Sequence, residues 1–193
     1  MMMILEFFID LIFKLLLFVV VFIFLLASWG FFGKLPDETS LENPEKNLAT
    51  EIITIDGTTI GKFYKENRTP VNFKELPEHL INALIATEDV RFYNHSGIDA
   101  RGTLRAIAFL GSKGGASTIT QQLAKLFFTE NASKNIMARI LQKSKEWVIA
   151  IRLEERYTKE EIIRMYFNEY DFLNQAIEIE SAAHIYFDKA PRD

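Results

Sequence analysis

The sequence predicts a mainly α-helical protein with one hydrophobic segment near its N-terminus and a small β-hairpin ahead of the later helices. Three observations predict this class: an apolar run within the first 33 residues, helical spacing of apolar residues from position 76 onward, and capping signals before two of the later helices. Of 193 residues, 49% are hydrophobic and 25% are charged, which is typical of globular proteins and excludes a disordered chain.

Composition also excludes several kinds of site. The chain has no cysteine, which rules out disulfides, thiolate nucleophiles and cysteine-ligated zinc. Its three histidines do not stand at the HExxH spacing of a zinc protease, so we do not expect a histidine metal site. A net charge of −4 argues against a general nucleic-acid-binding protein, and we expect no nucleic-acid partner.

The hydrophobic run predicts a transmembrane helix over residues 15–33, preceded by an N-terminal flank over residues 1–14. The run of 19 residues contains no charge, and 14 of them are Leu, Ile, Val or Phe. At about 1.5 Å per residue it reaches roughly 28 Å, close to the thickness of a bilayer core. A cleaved signal peptide is the alternative. It fits less well, because its apolar part is usually about 7 to 15 residues long and residues 27–29 make a poor cleavage site.

Between the apolar run and the helices we predict a linker and a hairpin. Residues 34–50 are polar, lack periodicity and contain two prolines, as expected of a juxtamembrane linker. Residues 51–70 alternate apolar and polar positions around Asp56 and Gly57, a pair that favours a hairpin turn.

From residue 71 to residue 193 the apolar spacing and the capping signals predict helices. Thr118 with Gln121, and Thr158 with Glu161, stand at the spacing of a capping box. The predicted helices begin at Pro77 and at Thr118, span residues 134–156, begin again at Thr158, and span residues 175–187.

Two adjacent acids, Glu88 and Asp89, end the first of these helices. The partial negative charge of a helix C-terminus disfavours carboxylates, so their placement needs a reason. A general base that accepts a proton during catalysis is one such reason. The alternative is that Arg91 and water solvate both acids.

A glycine-rich junction precedes the helix that begins at Thr118. Residues 114–118 (GGAST) place exposed N–H groups at a helix start, where the helix dipole favours an anion such as phosphate. Six basic residues against one acid lie between Lys113 and Lys145, which adds a local positive field. The alternative is an ordinary glycine turn, because the run does not match the P-loop pattern.

The helix over residues 134–156 carries a second mixed cluster. Arg139, Lys143 and Glu146 share one face at spacings of four and three, which places one carboxylate among cations. The alternative is an exposed ion pair, which contributes little to stability. The other face is predicted to be buried through an apolar stripe of Ile136, Ile140, Trp147 and Ile151.

Four blocks of the sequence, in order, resemble the peptidoglycan glycosyltransferase domain (glycosyltransferase family 51) of class A penicillin-binding proteins and monofunctional transglycosylases. Residues 88–97 (EDVRFYNHSG) resemble its EDxxFxxHxG pattern, and residues 115–125 (GASTITQQLAK) resemble GxSTITQQLxK. Residues 143–146 (KSKE) resemble the end of RKxxE, and residues 159–168 (KEEIIRMYFN) resemble KxEILxxYLN.

The resemblance implies a lysozyme-like lobe over residues 71–193 that polymerises lipid II into β-1,4-linked glycan with inversion and releases polyprenyl diphosphate. Glu88 matches the family's catalytic base, and Glu146 matches its second essential acid. A divalent cation such as Mg²⁺ is expected at the phosphates, and no organic cofactor. Substrate-binding roles are implied for Asp89, Ser117, Thr118, Gln121, Lys125 and Lys143.

The resemblance also implies partners and a location. The partners are lipid II, the growing glycan strand, the lipid bilayer and other cell-wall synthesis proteins. The location is the bacterial cytoplasmic membrane, with a single span and the catalytic lobe on the outer, periplasmic face.

The chain departs from the family pattern at several points. Gln142 stands where the family usually has Arg, and Arg139, one turn earlier, is expected to supply the missing cation in substrate binding. Glu178 stands where Gly is usual. The family's domain continues for further helices, so we expect a C-terminally truncated domain. Two alternative functions stay open: a glycan-cleaving, lysozyme-like or lytic enzyme, and an inactive anchored remnant that binds lipid II or cell-wall partners.

Overall fold

A computed structural model describes residues 2–31, 34–42, 50–55, 59–63, 70–109, 112, 114–129, 135–174 and 176–192. Within these residues the chain forms eight α-helices and two strands. The elements are α1 Met2–Ser28, α2 Glu38–Glu42, β1 Thr50–Ile53, β2 Thr59–Phe63, α3 Glu78–Glu88, α4 Ala100–Ala108, α5 Ile119–Phe128, α6 Ile136–Arg156, α7 Lys159–Glu169 and α8 Ile179–Phe187. The predicted mainly α-helical class is confirmed.

The transmembrane helix predicted over residues 15–33 is not found. Among the described residues, no helix is both long enough and apolar enough to cross a membrane. The N-terminal helix α1 contacts α6, and Ala27 near the end of α1 is buried.

The two strands form a small antiparallel sheet. Thr50 lies opposite Phe63 and Ile53 opposite Thr59, with a shift in register at Ile52. The turn predicted at residues 56–57 lies outside the described residues.

Local capping signals predicted the starts of α5 and α7 correctly. Thr118 Oγ1 accepts a hydrogen bond from the backbone N–H of Gln121 at 3.1 Å, and Thr158 and Glu161 form a complete capping box. These contacts satisfy backbone N–H groups that lack a partner within the first helical turn. The helix α4 was not predicted, because its sequence (ARGTLRAIA) contains only two large apolar side chains.

Helix α5 packs against both α6 and α7 and contributes the centre of the core. Ile119 and Leu123, one turn apart on α5, have no exposed surface. They belong to one buried cluster with Leu153 of α6 and with Ile162 and Ile163 of α7. Burial of each such side chain contributes about 1.5–3 kcal/mol, so the start of α5 is firmly placed.

Reciprocal hydrogen bonds join the segment before α3 to the end of α7. The backbone N–H of Val71 donates to Asn168 Oδ1 at 3.0 Å, and Asn168 Nδ2 donates to the carbonyl of Val71 at 2.9 Å. Both residues are buried. The amide side chain thus satisfies both polar backbone groups of Val71, as a neighbouring strand would do.

The backbone conformation at Glu178 explains why glycine is usual at this position in the family that the sequence resembles. Glu178 precedes α8 with φ 70° and ψ 158°, and it is 1% exposed. Glycine occupies this region almost alone, because a Cβ atom is crowded there. A glutamate in this conformation costs about 1–3 kcal/mol of stability.

Candidate active site

A cavity of about 640 Å³ lies between α5 and α6 and is the candidate active site. Six of the nine residues predicted to act in catalysis or binding line it: Ser117, Gln121, Lys125, Arg139, Lys143 and Glu146. The remaining lining residues are Gln122, Ile136, Ile140 and Gln142. The helical spacings within α5 and within α6 therefore bring the two predicted clusters to one cavity.

Glu146 is the buried acid of this cavity and is 4% exposed. Its Oε2 accepts a hydrogen bond from Lys143 Nζ at 3.0 Å, and its Oε1 accepts one from Gln142 Nε2 at 3.3 Å. Lys143 Nζ also donates to Ser117 Oγ at 2.9 Å, which ties α6 to the start of α5. Withdrawing a carboxylate from water is costly unless it is paired, and these contacts offset that cost. The ion pair considered as an alternative is therefore present, but its acid is buried rather than exposed.

The cavity carries an excess of positive charge. Lys125, Arg139 and Lys143 line it together with a single acid, Glu146. Lys125 and Arg139 are exposed, so their charges face solvent and are accessible to an incoming anion. A concave wall of this kind concentrates phosphate-bearing ligands.

Glu88 stands at the edge of the cavity. It is the last residue of α3, it is exposed, and its Oε2 accepts a hydrogen bond from Gln122 Nε2 at 2.8 Å. Gln122 itself lines the cavity, so the carboxylate lies one side chain away from the lining. Arg91 pairs with Asp99 rather than with Glu88, which argues against Arg91 as the group that neutralises this acid.

Asp89 joins the end of α3 to the start of α5. It is 6% exposed, and its Oδ2 accepts a hydrogen bond from the backbone N–H of Ile119 at 3.1 Å. The two carboxylate oxygens also lie 3.1 and 3.0 Å from Nε2 of His95. A carboxylate at the first turn of α5 complements the helix dipole. These contacts hold the end of α3, and with it Glu88, against the start of α5. The predicted contact of Asp89 with substrate stays a prediction.

Thr118 and Gln121 hold the loop that follows Glu88. Thr118 Oγ1 and Gln121 Nε2 both donate to the carbonyl of Gly97, at 2.7 and 3.1 Å, and both side chains are almost fully buried. Gly97 has φ 85°, and a Cβ atom there would lie 2.9 Å from the backbone of Ala150. Only glycine allows this close approach of the loop to α6. Substrate binding by Thr118 and Gln121 also stays a prediction.

Lys159 fastens the same loop from the other side. Its Nζ donates to the carbonyl of His95 at 2.7 Å and to Glu154 Oε1 at 2.8 Å, and it lies 4.2 Å from the centre of the Phe92 ring. Glu154 Oε1 also accepts a hydrogen bond from Thr120 Oγ1 at 2.6 Å. The loop after Glu88 is therefore hydrogen-bonded to α5 and α7, and Lys159 and Thr120 are bonded in turn to Glu154 of α6.

Comparison with known proteins identifies the family. A family model described as Transglycosylase matches residues 56–193. The chain belongs to the transglycosylase family. The resemblance carried by the four motif blocks is thereby confirmed.

Penicillin-binding proteins are among the relatives of this transglycosylase chain. It is 41% identical to Penicillin-binding protein 1F of Bacillus subtilis (strain 168) over 76% of this chain and 20% of that protein. It is 37% identical to Penicillin-binding protein 1A of Vibrio cholerae over 82% of this chain and 19% of that protein. It is 38% identical to Penicillin-binding protein 1A of Escherichia coli (strain K12) over 81% of this chain and 18% of that protein. The chain thus spans about one fifth of the length of these relatives.

The sequence did not single out Gln122, which lines the candidate active site, or Tyr166, which contacts Gln122. Tyr166 is 3% exposed, and its hydroxyl donates to Gln122 Oε1 at 3.1 Å. Burial raises the pKa of the Tyr166 hydroxyl well above its usual range, and the neighbouring Tyr170 and Glu88 add to the effect. One signal was available for Gln122: it lies three positions before Lys125 and so shares its helix face.

The described residues do not form a metal cage by themselves. Among them, no group of three or more His, Asp or Glu side chains is placed to hold an ion. Both oxygens of Glu146 already accept hydrogen bonds from the protein. The expected Mg²⁺ stays a prediction, and we derive no step through a metal.

Proposed function

We propose that this chain is a peptidoglycan glycosyltransferase that polymerises lipid II into β-1,4-linked glycan. One observation carries the proposal: an exposed acid, Glu88, is hydrogen-bonded to a lining residue of a cavity that three cations and a buried acid, Glu146, also line. Membership of the transglycosylase family supports it.

In the proposed reaction Glu88 accepts the proton of the acceptor sugar's 4-hydroxyl. The hydroxyl oxygen attacks the anomeric carbon of the donor from the face opposite the diphosphate. The new glycosidic bond forms as the bond to the diphosphate oxygen breaks, so the configuration inverts. Polyprenyl diphosphate leaves with the bonding electrons.

The cations of the cavity stabilise the charge that grows on the leaving diphosphate. Lys125 and Arg139 are exposed and accessible to it, while Lys143 is fixed between Ser117 and Glu146. Donors that are already in position cost no reorganisation when the bond breaks. Glu146 therefore acts through Lys143, which it holds at the cavity wall.

The proposed location is the outer face of the bacterial cytoplasmic membrane, because a polyprenyl-linked donor stays in the bilayer. Large apolar side chains are exposed on several parts of the chain that such a surface would cover. They include Phe7, Phe18 and Phe22 on α1, and Leu104 and Phe109 at α4. Lipid II, the glycan strand, the bilayer and cell-wall synthesis proteins are the proposed partners.

Polymerisation of labelled lipid II by the purified chain tests the proposal. We expect Glu88→Gln to lower the rate by at least about 100-fold, because the proton acceptor is lost. Glu78→Gln removes the same charge at the opposite end of α3 and is the matched control, with a rate close to wild type. Equal activity of the wild-type and Glu88→Gln proteins would remove Glu88 from the reaction.

Two other outcomes would favour the alternative functions. Release of soluble fragments from purified cell walls would indicate a lytic enzyme. Lipid II binding without turnover, unchanged in Glu88→Gln, would indicate a binding remnant.

A further inference from the structure

Two hydrogen bonds link Glu88, the exposed acid beside the cavity, to the core. Tyr166 on α7 donates through its hydroxyl to Gln122 Oε1 at 3.1 Å, and Gln122 on α5 donates through Nε2 to Glu88 Oε2 at 2.8 Å. Three helices thus contribute one side chain each to a single line of contacts. The line ends on the group that the proposed reaction uses as its proton acceptor.

The direction of the Gln122 amide is fixed at both of its ends. The carboxylate of Glu88 only accepts hydrogen bonds when ionised, so it favours the NH₂ side of the amide. The oxygen side is then left for Tyr166, whose hydroxyl donates to it. A reversed amide would place its oxygen against the carboxylate, which repels it.

Tyr166 is the rigid end of the line. It is 3% exposed, and its ring stacks on that of Tyr170 with 5.1 Å between the centroids. Burial raises the pKa of its hydroxyl, so the hydroxyl keeps its proton and remains a donor. Glu88, in contrast, is exposed and would otherwise sample several rotamers.

We propose that Tyr166 is a positioning residue of the glycosyltransferase reaction, which orients the Gln122 amide and through it fixes Oε2 of Glu88, so that Oε1 is the oxygen that accepts the proton. This inference rests on the proposed function, because it assigns a support to the proton acceptor named there. It assigns Tyr166 no contact with the substrate.

The kinetic test compares Tyr166→Phe with Tyr170→Phe. Both variants keep the stacked rings and remove one hydroxyl, but only Tyr166→Phe removes the bond to Gln122. We expect Tyr166→Phe to lower kcat for lipid II polymerisation about tenfold with an unchanged KM for the donor, and Tyr170→Phe to leave kcat within about twofold. An equal loss in both variants, or a change confined to KM, would overturn the inference.

A double-mutant cycle tests whether Tyr166 acts through Gln122. In the Gln122→Ala background the substitution Tyr166→Phe has no amide left to orient, so we expect little further loss of kcat. Two independent, multiplying losses would show that Tyr166 acts by some other route.

A readout without turnover separates this inference from the proposed function. In the ¹⁵N NMR spectrum, we expect exchange of the Gln122 side-chain amide protons to be at least about fivefold faster in Tyr166→Phe and unchanged in Tyr170→Phe. If the chain does not polymerise lipid II but shows this pattern, the proposed function fails and the contact line stands. If the amide protons exchange at the same rate in wild type and Tyr166→Phe, the positioning role is wrong.

Discussion

The two acids of the candidate site, Glu88 and Glu146, lie in opposite surroundings. Glu88 is exposed at the end of α3, and a neutral amide is its hydrogen-bond donor. Glu146 is buried on α6 between an ammonium group and an amide. The first can exchange a proton with a bound hydroxyl, while the second is engaged on both oxygens. The difference supports the proposed division of roles, with proton transfer at Glu88 and the holding of a cation at Glu146.

Removal of the cation bound to Glu146 tests the difference between the two acids most directly. We expect Lys143→Met to lower the free energy of unfolding by about 3 kcal/mol, because a buried carboxylate loses its charged partner. Polymerisation should fall at least about 100-fold, since a donor to the leaving group is lost. Urea unfolding and lipid II polymerisation measure the two effects.

The control for Lys143→Met is Lys125→Met, which removes an exposed cation of the same cavity. Its unfolding free energy should stay within about 0.5 kcal/mol of wild type. Equal stability of the two variants would mean that Glu146 does not depend on Lys143.

A substitution at Glu178, a buried residue outside the cavity, is expected to change stability without changing catalysis. Glu178→Gly relieves the strained backbone before α8, and we expect a gain of about 1 kcal/mol in unfolding free energy, with unchanged polymerisation. Glu180→Gly, two residues further along within α8, should instead lose about 1 kcal/mol. Thermal or urea unfolding measures both, and a loss of stability in Glu178→Gly would contradict the backbone argument.

Acid pH should weaken the ion pair between Arg91 and Asp99 in the loop that follows Glu88. The hydrogen bond from Arg91 lowers the pKa of Asp99 below its usual value, so this pair stabilises the folded chain above about pH 4. That contribution is lost as the pH falls through the lowered pKa of Asp99. We expect Asp99→Asn to remove about 1 kcal/mol at pH 7 and less at pH 2. Urea unfolding at the two pH values checks this, and an equal loss at both would refute it.

The smallest effect concerns the amide beside Glu146. Gln142→Arg restores the cation usual in the family at this position, and we expect the KM for lipid II to fall about threefold, since one more positive charge faces the phosphates. Gln142→Met keeps the length of the side chain and adds no charge, so it should not lower KM. A threefold decrease in both variants would show that charge is not the cause.

The sequence predicted those parts of the fold that depend on neighbouring residues. The starts of α5 and α7 follow from caps made within one turn, at Thr118 and Thr158. Ile136 and Ile140 were predicted to be buried and are instead 73% and 45% exposed, where they line the cavity. Apolar spacing identifies a helix face, but it does not distinguish a face that packs in a core from one that lines a cavity.

The sequence likewise predicted which residues belong to the site but not how they contact one another. The motif blocks named both acids and most of the lining cations. Neither the burial of Glu146 nor the bond between Gln122 and Glu88 follows from spacing, because both depend on how helices that are distant in the chain pack together. Tyr166 was missed for the same reason: its 44-residue separation from Gln122 leaves no local signal.

The reciprocal bonds between Val71 and Asn168 form late during synthesis of the lobe. They join positions 97 residues apart, so the contact cannot form until α7 has been synthesised. At a synthesis rate of about 5–20 residues per second, roughly 5–20 s pass between the synthesis of Val71 and that of Asn168. Contacts of such long range are also slow to close in a complete chain. The yield of folded protein in a cell should therefore depend on how well that open intermediate is shielded from aggregation.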